Sequence, residues 1–182
     1  MTDSSATRIC LPDHGTTVES IRTILCEEYE LNYDKLVLSP GASPIRPNFP
    51  GSERAMTLRT VEDVERITNR VHEKPTNAVV IGGGFIGVEI AENLIHRGIK
   101  TALVEAMPQV LAPLDPEMAS LVAKEMALQG VELHLADGVS TIDPTTVTLT
   151  SGVVLPADLV ILAIGVRPDT SLAKAADIKV GT

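Results

Sequence analysis

The chain has 182 residues, 44% hydrophobic and 21% charged, with 12 Pro and 2 Cys, enough to bury one or two cores without disulfides or metals. A formal charge of −9 argues against a partner with a nucleic-acid backbone, and four aromatics (Tyr29, Tyr33, Phe49, Phe85) make no stacking platform for single strands. The apolar runs are too short to span a bilayer, no secretory signal opens the chain, and Cys10 and Cys26 form neither a framework nor a CxxC pair; a soluble, cytoplasmic chain with no nucleic-acid or membrane partner is expected.

Residues 1–16 show no periodicity and stay unassigned. Short strands are predicted at Thr17–Ile21, Thr23–Cys26 and Tyr29–Tyr33, and a compact apolar strand at Leu36–Ser39. Residues 40–51 hold prolines at 40, 44, 47 and 50, which no helix or central strand tolerates, so a stiff linker and domain boundary fall there. Thr60 can cap the next helix with Asp63 at its third position, and Val61, Val64 and Ile67 follow at helical spacing.

After Asn77 strands and helices alternate. Ala78–Ile81 reads as a buried strand, and Ile86–Arg97 as a helix with Ile86, Ile90 and Leu94 stacked on one face and Gly98 at its end. Lys100–Glu105 is the next strand. Asp115-Pro116 starts a helix whose inner face is marked by Met118, Val122 and Met126, and Gly130 closes it. Val131–Leu135 alternates as a strand, Thr146–Thr150 and Val153–Leu155 form a hairpin around Ser151-Gly152, and Leu159–Ile164 is the most apolar strand. That order predicts an α/β fold: a Rossmann-like parallel sheet with right-handed crossover helices and a β-hairpin or meander.

Gly82-Gly83-Gly84-Phe85-Ile86-Gly87 matches GxGxxG, between an apolar strand and an amphipathic helix. Gly82 allows the tight turn, Gly84 lets backbone approach a pyrophosphate, and Gly87 brings helix against strand, with phosphate at the donor-rich helix end. Glu105 closes the second strand 18 residues beyond Gly87, where an acid accepts bonds from adenosine ribose hydroxyls. A 2′-phosphate about 5 Å away would cost about 3 kcal/mol per charge pair at an effective dielectric of about 20, and no arginine follows in Ala106-Met107-Pro108. NAD(H) is therefore expected over NADP(H); a glycine turn that packs helix on strand and binds nothing is the alternative. Glu89 is either a first-turn acid favoured by the helix dipole or a residue lining the nicotinamide end of the cleft.

Together these segments resemble the FAD- and NAD-dependent pyridine nucleotide–disulfide oxidoreductases, the branch of coenzyme A-disulfide reductases and NADH oxidases most of all. The resemblance is carried by Tyr33–Ala42, Thr57–Thr60 with Asp63, Val79–Glu89, Leu114–Met118 and Ala163–Pro168. It implies that Gly82, Gly84, Phe85, Ile86 and Gly87 hold the pyrophosphate and Glu105 the ribose. Glu89 with the backbone of Ala163, Ile164 and Gly165 would face the nicotinamide, and Val139 the adenine. Ser39, Pro40, Gly41 and Ala42 would touch FAD. Asp115 and Arg167 read as a helix cap and a strand-end charge.

In that family an N-terminal GxGxxG binds FAD, a cysteine carries the redox chemistry and a late Gly-Asp holds the flavin. None is recognisable here, so no catalytic residue is assigned in this chain, and the histidines at 14, 72, 96 and 134 lack metal-ligand spacing. The expected organisation is a flank of FAD-domain β-structure with linker at 17–51, the NAD(H) domain at 52–170, and a return toward the FAD domain at 171–182. The resemblance implies an NADH-binding domain cut from a homodimeric flavoenzyme that passes hydride from NADH to FAD and on to a disulfide, persulfide or oxygen. The alternative is a stand-alone NADH-binding or regulatory module without turnover.

Overall fold

The computed structural model describes residues 35–181, preceded by the backbone of three strands, β1 (Thr17–Glu19), β2 (Thr23–Leu25) and β3 (Glu30–Asn32). Cys10, Cys26, His14 and the unassigned N-terminal residues lie outside the described residues. The chain divides into two units, residues 1–43 with 168–182, and residues 44–167.

In the first unit β1, β2 and β3 pair antiparallel in chain order, Thr17 opposite Leu25 and Thr23 opposite Asn32. Leu36–Ser39, expected as a strand, is not one. It has no ladder partner, Val37 is 89% exposed, and the chain turns at once through Pro40 and a left-handed Gly41 (φ 84°). Strand β4 (Ala42–Pro44) follows at the unit boundary.

The second unit is built on a parallel sheet. A 3-10 turn (Ser52–Arg54) leads to β5 (Met56–Thr57), α1 (Val61–His72), β6 (Asn77–Ile81), α2 (Phe85–His96), β7 (Lys100–Glu105), α3 (Pro116–Leu128) and β8 (Glu132–Leu135). A meander of β9 (Val139–Ile142), β10 (Thr146–Leu149) and β11 (Val154–Pro156) precedes β12 (Leu159–Leu162). The sheet runs β5-β12-β6-β7-β8, every pair parallel. Strand β13 (Val166–Pro168) ends the unit, and a short helix, α4 (Ser171–Ala175), lies in the other.

The central strands are apolar along their middles, Ala78–Ile81, Ala102–Val104 and Leu159–Leu162, because both faces are covered there. Ala78, Val80, Leu103, Leu159 and Ile161 pack under α1, α2 and α3, with Ala91, Leu94 and Met126 from the helices. Their neighbours Val79, Ile81, Val104, Val160 and Leu162 pack on the meander, through Ile142, Val147, Leu149 and Leu155. The hairpin expected at 146–155 is present, and β9 adds a third strand that its mixed Val-Ser-Thr-Ile composition does not announce.

Two helices turn different faces inward from those their bulkiest residues suggest. In α2 the buried positions are Gly87, Ala91 and Leu94, whereas Ile86 is 46% exposed and Ile90 only half-buried. In α3 they are Ala119 and Met126, with Met118 55% exposed. Close approach to the sheet selects small residues at the contact line, and larger aliphatics fall to its flanks.

Carboxylates fasten the junctions. Thr60 Oγ1 accepts from Asp63 N (3.3 Å) and Asp63 Oδ2 from Thr60 N (3.1 Å), the expected reciprocal cap of α1. Asp63 is buried and also meets Arg59 N and the Arg66 guanidinium. Asp158 Oδ2 accepts from Asn77 N (2.9 Å) and Thr76 N (3.0 Å) where β6 begins. Asp137 accepts from Ser151 Oγ (2.5 Å), Thr150 Oγ1 (2.6 Å) and Ser151 N (3.1 Å), tying the β8–β9 turn to the β10–β11 turn.

The energetics separate core from cap. Leu103→Ala, at a fully buried position, should cost about 2–5 kcal/mol of unfolding free energy, and Thr60→Ala about 1 kcal/mol, both read by urea denaturation. Hydrogen bonds hold the Asp63 and Asp158 carboxyls below their ordinary values, to Thr60 and Asn77 backbone above all. The hydroxyls of Ser151 and Thr150 lower Asp137 to about 2. Each depressed carboxyl stabilises the fold above its unfolded pKa and loses that contribution as pH falls through its folded value. Stability should therefore decline from about pH 4 downward, and Asp137→Asn should make the slope toward about pH 2 shallower in acid titrations followed by circular dichroism.

Candidate functional site

The β6–α2 turn is a gap that side chains would close at two points and leave open at a third. Gly82 is left-handed (φ 110°), and a Cβ there would lie 2.5 Å from the Ala163 carbonyl oxygen. At Gly87 a Cβ would come within 1.9 Å of the Gly82 carbonyl oxygen, so α2 can rest on the end of β6 only through hydrogen. Around Gly84 no heavy atom lies within 4 Å of that position. Its φ of −75° and ψ of −177° suit any residue, so what glycine supplies there is access. Gly84 is the N-cap of α2, no side chain caps it, and the first turn carries no acid; the N–H groups that open a helix lack helical partners and form a positive end.

Across the turn, Glu105 ends β7 half-buried. Its Oε2 accepts from Gly83 N (2.6 Å) and its Oε1 from Met107 N (2.8 Å). Each carboxylate oxygen has a further acceptor site, and no ion pair among the described residues involves Glu105. The Gly83 carbonyl accepts from Leu111 N (2.7 Å) and the Val104 carbonyl from Gly82 N (2.8 Å), so the acid and the glycine turn move as one piece.

The other expected residues divide into those that adjoin this turn and those that do not. Ala163 N bonds the Ile81 carbonyl (2.7 Å), which brings the β12 end against Gly82. Ile164 and Gly165 continue exposed, the Gly165 carbonyl accepting from Ile45 N (3.0 Å). Val139 opens β9 and packs against the meander core. Phe85 is 65% exposed at the first turn of α2. Glu89 lies on another flank: with Ile86, Ile90, Asn93 and Arg59 it lines a cavity of about 720 Å³ between α1 and α2. Ile86 and Ile90, on the flank of the contact line, line that cavity, and the 3.6-residue period alone does not foresee it.

Ser39, Pro40 and Gly41 are exposed and Ala42 half-buried, all in the first unit. Asp115 sits at the α3 N-cap, though its carboxylate makes no cap bond, and Arg167 is exposed. His134 pairs with Glu132 (2.8 Å), and no group of three metal-ligating side chains occurs among the described residues. None of their helices is long and apolar enough to cross a membrane. Asp137 is the residue sequence reasoning missed: its partners Thr150 and Ser151 lie 13 and 14 positions away, a distance at which no local pattern signals a contact.

Residues 3–182 match the family described as pyridine nucleotide-disulphide oxidoreductase. An NADH oxidase of Methanocaldococcus jannaschii is 38% identical over 161 residues, which cover 85% of this chain and 36% of that protein. Among solved structures, reduced CoADR-RHD of Bacillus anthracis is 46% identical with a TM-score of 0.80, covering 91% of this chain and 32% of that one. A NAD-dependent persulfide reductase from A. fulgidus is 34% identical with a TM-score of 0.82, covering 92% and 33%. The chain thus spans roughly a third of the length of each of these proteins.

The glycines predict opposite responses to one methyl group. Gly87→Ala forces α2 off the end of β6 and should lower the melting midpoint markedly, by about 2 kcal/mol or more of stability. Gly84→Ala meets open space and should cost under about 1 kcal/mol, the small preference of an N-cap for glycine over alanine; thermal denaturation of the two variants checks the contrast.

Proposed function

The chain belongs to the pyridine nucleotide-disulphide oxidoreductase family, and from that we propose that residues 52–170 bind NAD(H) for a flavin-dependent oxidoreductase, which passes hydride from NADH to FAD and on to a disulfide, persulfide or oxygen. The observation that carries the reading is the open space over Gly84, at an uncapped helix end, beside a carboxylate, Glu105, that is held on the Gly83 amide from 22 positions further along the chain. A packing turn has no need of that opening. A dinucleotide does, and the residues present fit one.

When bound, NADH supplies the hydride and FAD accepts it. The chain's own residues bind and orient. Backbone N–H groups at the start of α2 donate to the pyrophosphate oxygens, which the absent Cβ at Gly84 lets approach. The unused acceptor sites of Glu105 take the adenosine ribose hydroxyls, while its fixed negative charge disfavours a 2′-phosphate. Val139 is assigned to the adenine side, and Ala163, Ile164 and Gly165 to the nicotinamide side. Glu89 is assigned to the same nicotinamide end and lines the α1–α2 cavity, while Phe85 and Ile86 belong with the pyrophosphate turn. Ser39, Pro40, Gly41 and Ala42 are assigned to FAD, with residues 17–51 and 171–182 as flanks of its domain. The terminal acceptor follows from residues outside this set.

Calorimetric titration of the purified chain with NADH and NADPH tests the reading. Saturable NADH binding is expected, with NADPH weaker by about tenfold or more. Gly84→Ala should abolish NADH binding while remaining folded, and Glu105→Gln should weaken NADH yet bring the two affinities together. Absence of NADH binding up to millimolar concentration would overturn the assignment.

A further inference from the structure

We propose that Asp137 is a positioning residue for the adenosine half of the nucleotide site, acting by clamping the β8–β9 turn between the segment that carries Glu105 and the β10–β11 turn. The inference rests on the nucleotide-binding reading above and assigns a role to a residue that touches neither the glycine turn nor its acid through its side chain.

Residues 136–138 are laced on both sides. On one side Ala136 N donates to the Met107 carbonyl (2.9 Å) and Asp137 N to the Glu105 carbonyl (3.2 Å), so this turn is bonded to the residues that frame the ribose acid. On the other side the Asp137 carboxylate takes the Thr150 hydroxyl, the Ser151 hydroxyl and the Ser151 amide. Thr150 Oγ1 also accepts from Gly138 N (3.2 Å), and Thr150 N donates to the Gly138 carbonyl (2.8 Å). One hydroxyl therefore receives a proton from the turn and gives one to the carboxylate within it, an arrangement in which each bond polarises the next.

The turn needs holding. Ala136 has φ 55°, a left-handed conformation that is strained for a residue with a Cβ and persists only where its surroundings over-determine it. Two residues beyond Asp137 the chain becomes β9 at Val139, the residue assigned to the adenine. Asp137 thus stands between the two groups that define the adenosine end, bonded by its backbone to one and leading directly into the other.

Exposure separates positioning from plain stability. The carboxylate's bonds lie at the protein surface, so water can replace each when the carboxylate is removed. The fold should survive that loss, with the modest drop in stability that the lowered Asp137 carboxyl implies. What water cannot replace is the fixed separation between the Glu105 segment and the start of β9, and a site that loses pre-organisation loses affinity in the folded protein.

Calorimetric titration with ADP-ribose, the dinucleotide without its nicotinamide, provides the test. Wild-type chain, Asp137→Ala, Asp137→Asn and Ser151→Ala are compared well below their melting midpoints, with thermal denaturation of each. Asp137→Ala should raise Kd about tenfold with a midpoint lowered by only a few degrees. Asp137→Asn should recover most of the loss, to within about threefold of wild type, because its amide oxygen still accepts from Thr150 and Ser151 N. Ser151→Ala should fall between. An unchanged Kd in folded Asp137→Ala overturns the inference, leaving a purely structural clamp. If Asp137→Ala does not fold, an unchanged Kd in Ser151→Ala overturns it equally. Failure of the wild-type chain to bind either ADP-ribose or NADH overturns the nucleotide reading itself, and the inference falls with it.

Discussion

Nothing larger than a hydrogen atom fits between the start of α2 and the end of β6, and the site is a consequence of that contact. A Cβ at Gly87 would lie 1.9 Å from the Gly82 carbonyl oxygen, so the helix sits closer to the strand than any other residue would permit. That approach aims the unpaired N–H groups of the first turn out of the carboxyl edge of the sheet. It also draws Gly83 to within 2.6 Å of the Glu105 carboxylate. Helix end, turn and acid are positioned by one steric fact.

The charge of −9 does not by itself exclude an anionic ligand at the head of α2, because the fields of distant carboxylates are screened and several are held in local hydrogen bonds. Asp63, Asp137 and Asp158 each accept hydrogen bonds from backbone N–H groups at a junction between elements, where such groups would otherwise lack partners. Glu105 does the same at the glycine turn. Fields from surface charges fade over a Debye length of about 8 Å at physiological salt, whereas the donors at the head of α2 act at contact. Net charge bears on solubility and long-range fields; the helix end is what bears on the proposed ligand.

The meander covers the other face of the sheet, and on the proposed reading it lies on the adenosine side. Its core residues, Val147, Leu149 and Leu155, pack beneath Val79, Ile81 and Val104, directly under the strands that end in the glycine turn and in Glu105. Packing on that face and ligand geometry at the carboxyl edge are therefore mechanically joined. Asp137 joins the β8–β9 turn to the β10–β11 turn of that meander through Thr150 and Ser151.

The chain's local chemistry was largely readable along its length. Gly82 and Gly87 declare a strand–turn–helix because only glycine tolerates left-handed φ or contact at hydrogen distance, and Gly84 between them leaves the helix end open. Thr60 with Asp63 and Asp115-Pro116 mark helix starts because caps act within four residues, and Glu105 falls at the end of a strand whose apolar run gives its length. Features that depend on what lies across a gap were not readable. Leu36–Ser39 has strand composition and no neighbour to pair with. Ile86 and Met118 have the bulk of core residues, yet the contact lines went to Gly87, Ala91 and Ala119, since close packing on a sheet rewards smallness and periodicity registers only hydrophobicity. Asp137 reads as one acid among 24 until folding brings Thr150 and Ser151 within hydrogen-bond reach. Short-range sterics and capping are written in neighbouring residues; partners, helix facing and shared hydrogen bonds exist only after the strands have assembled.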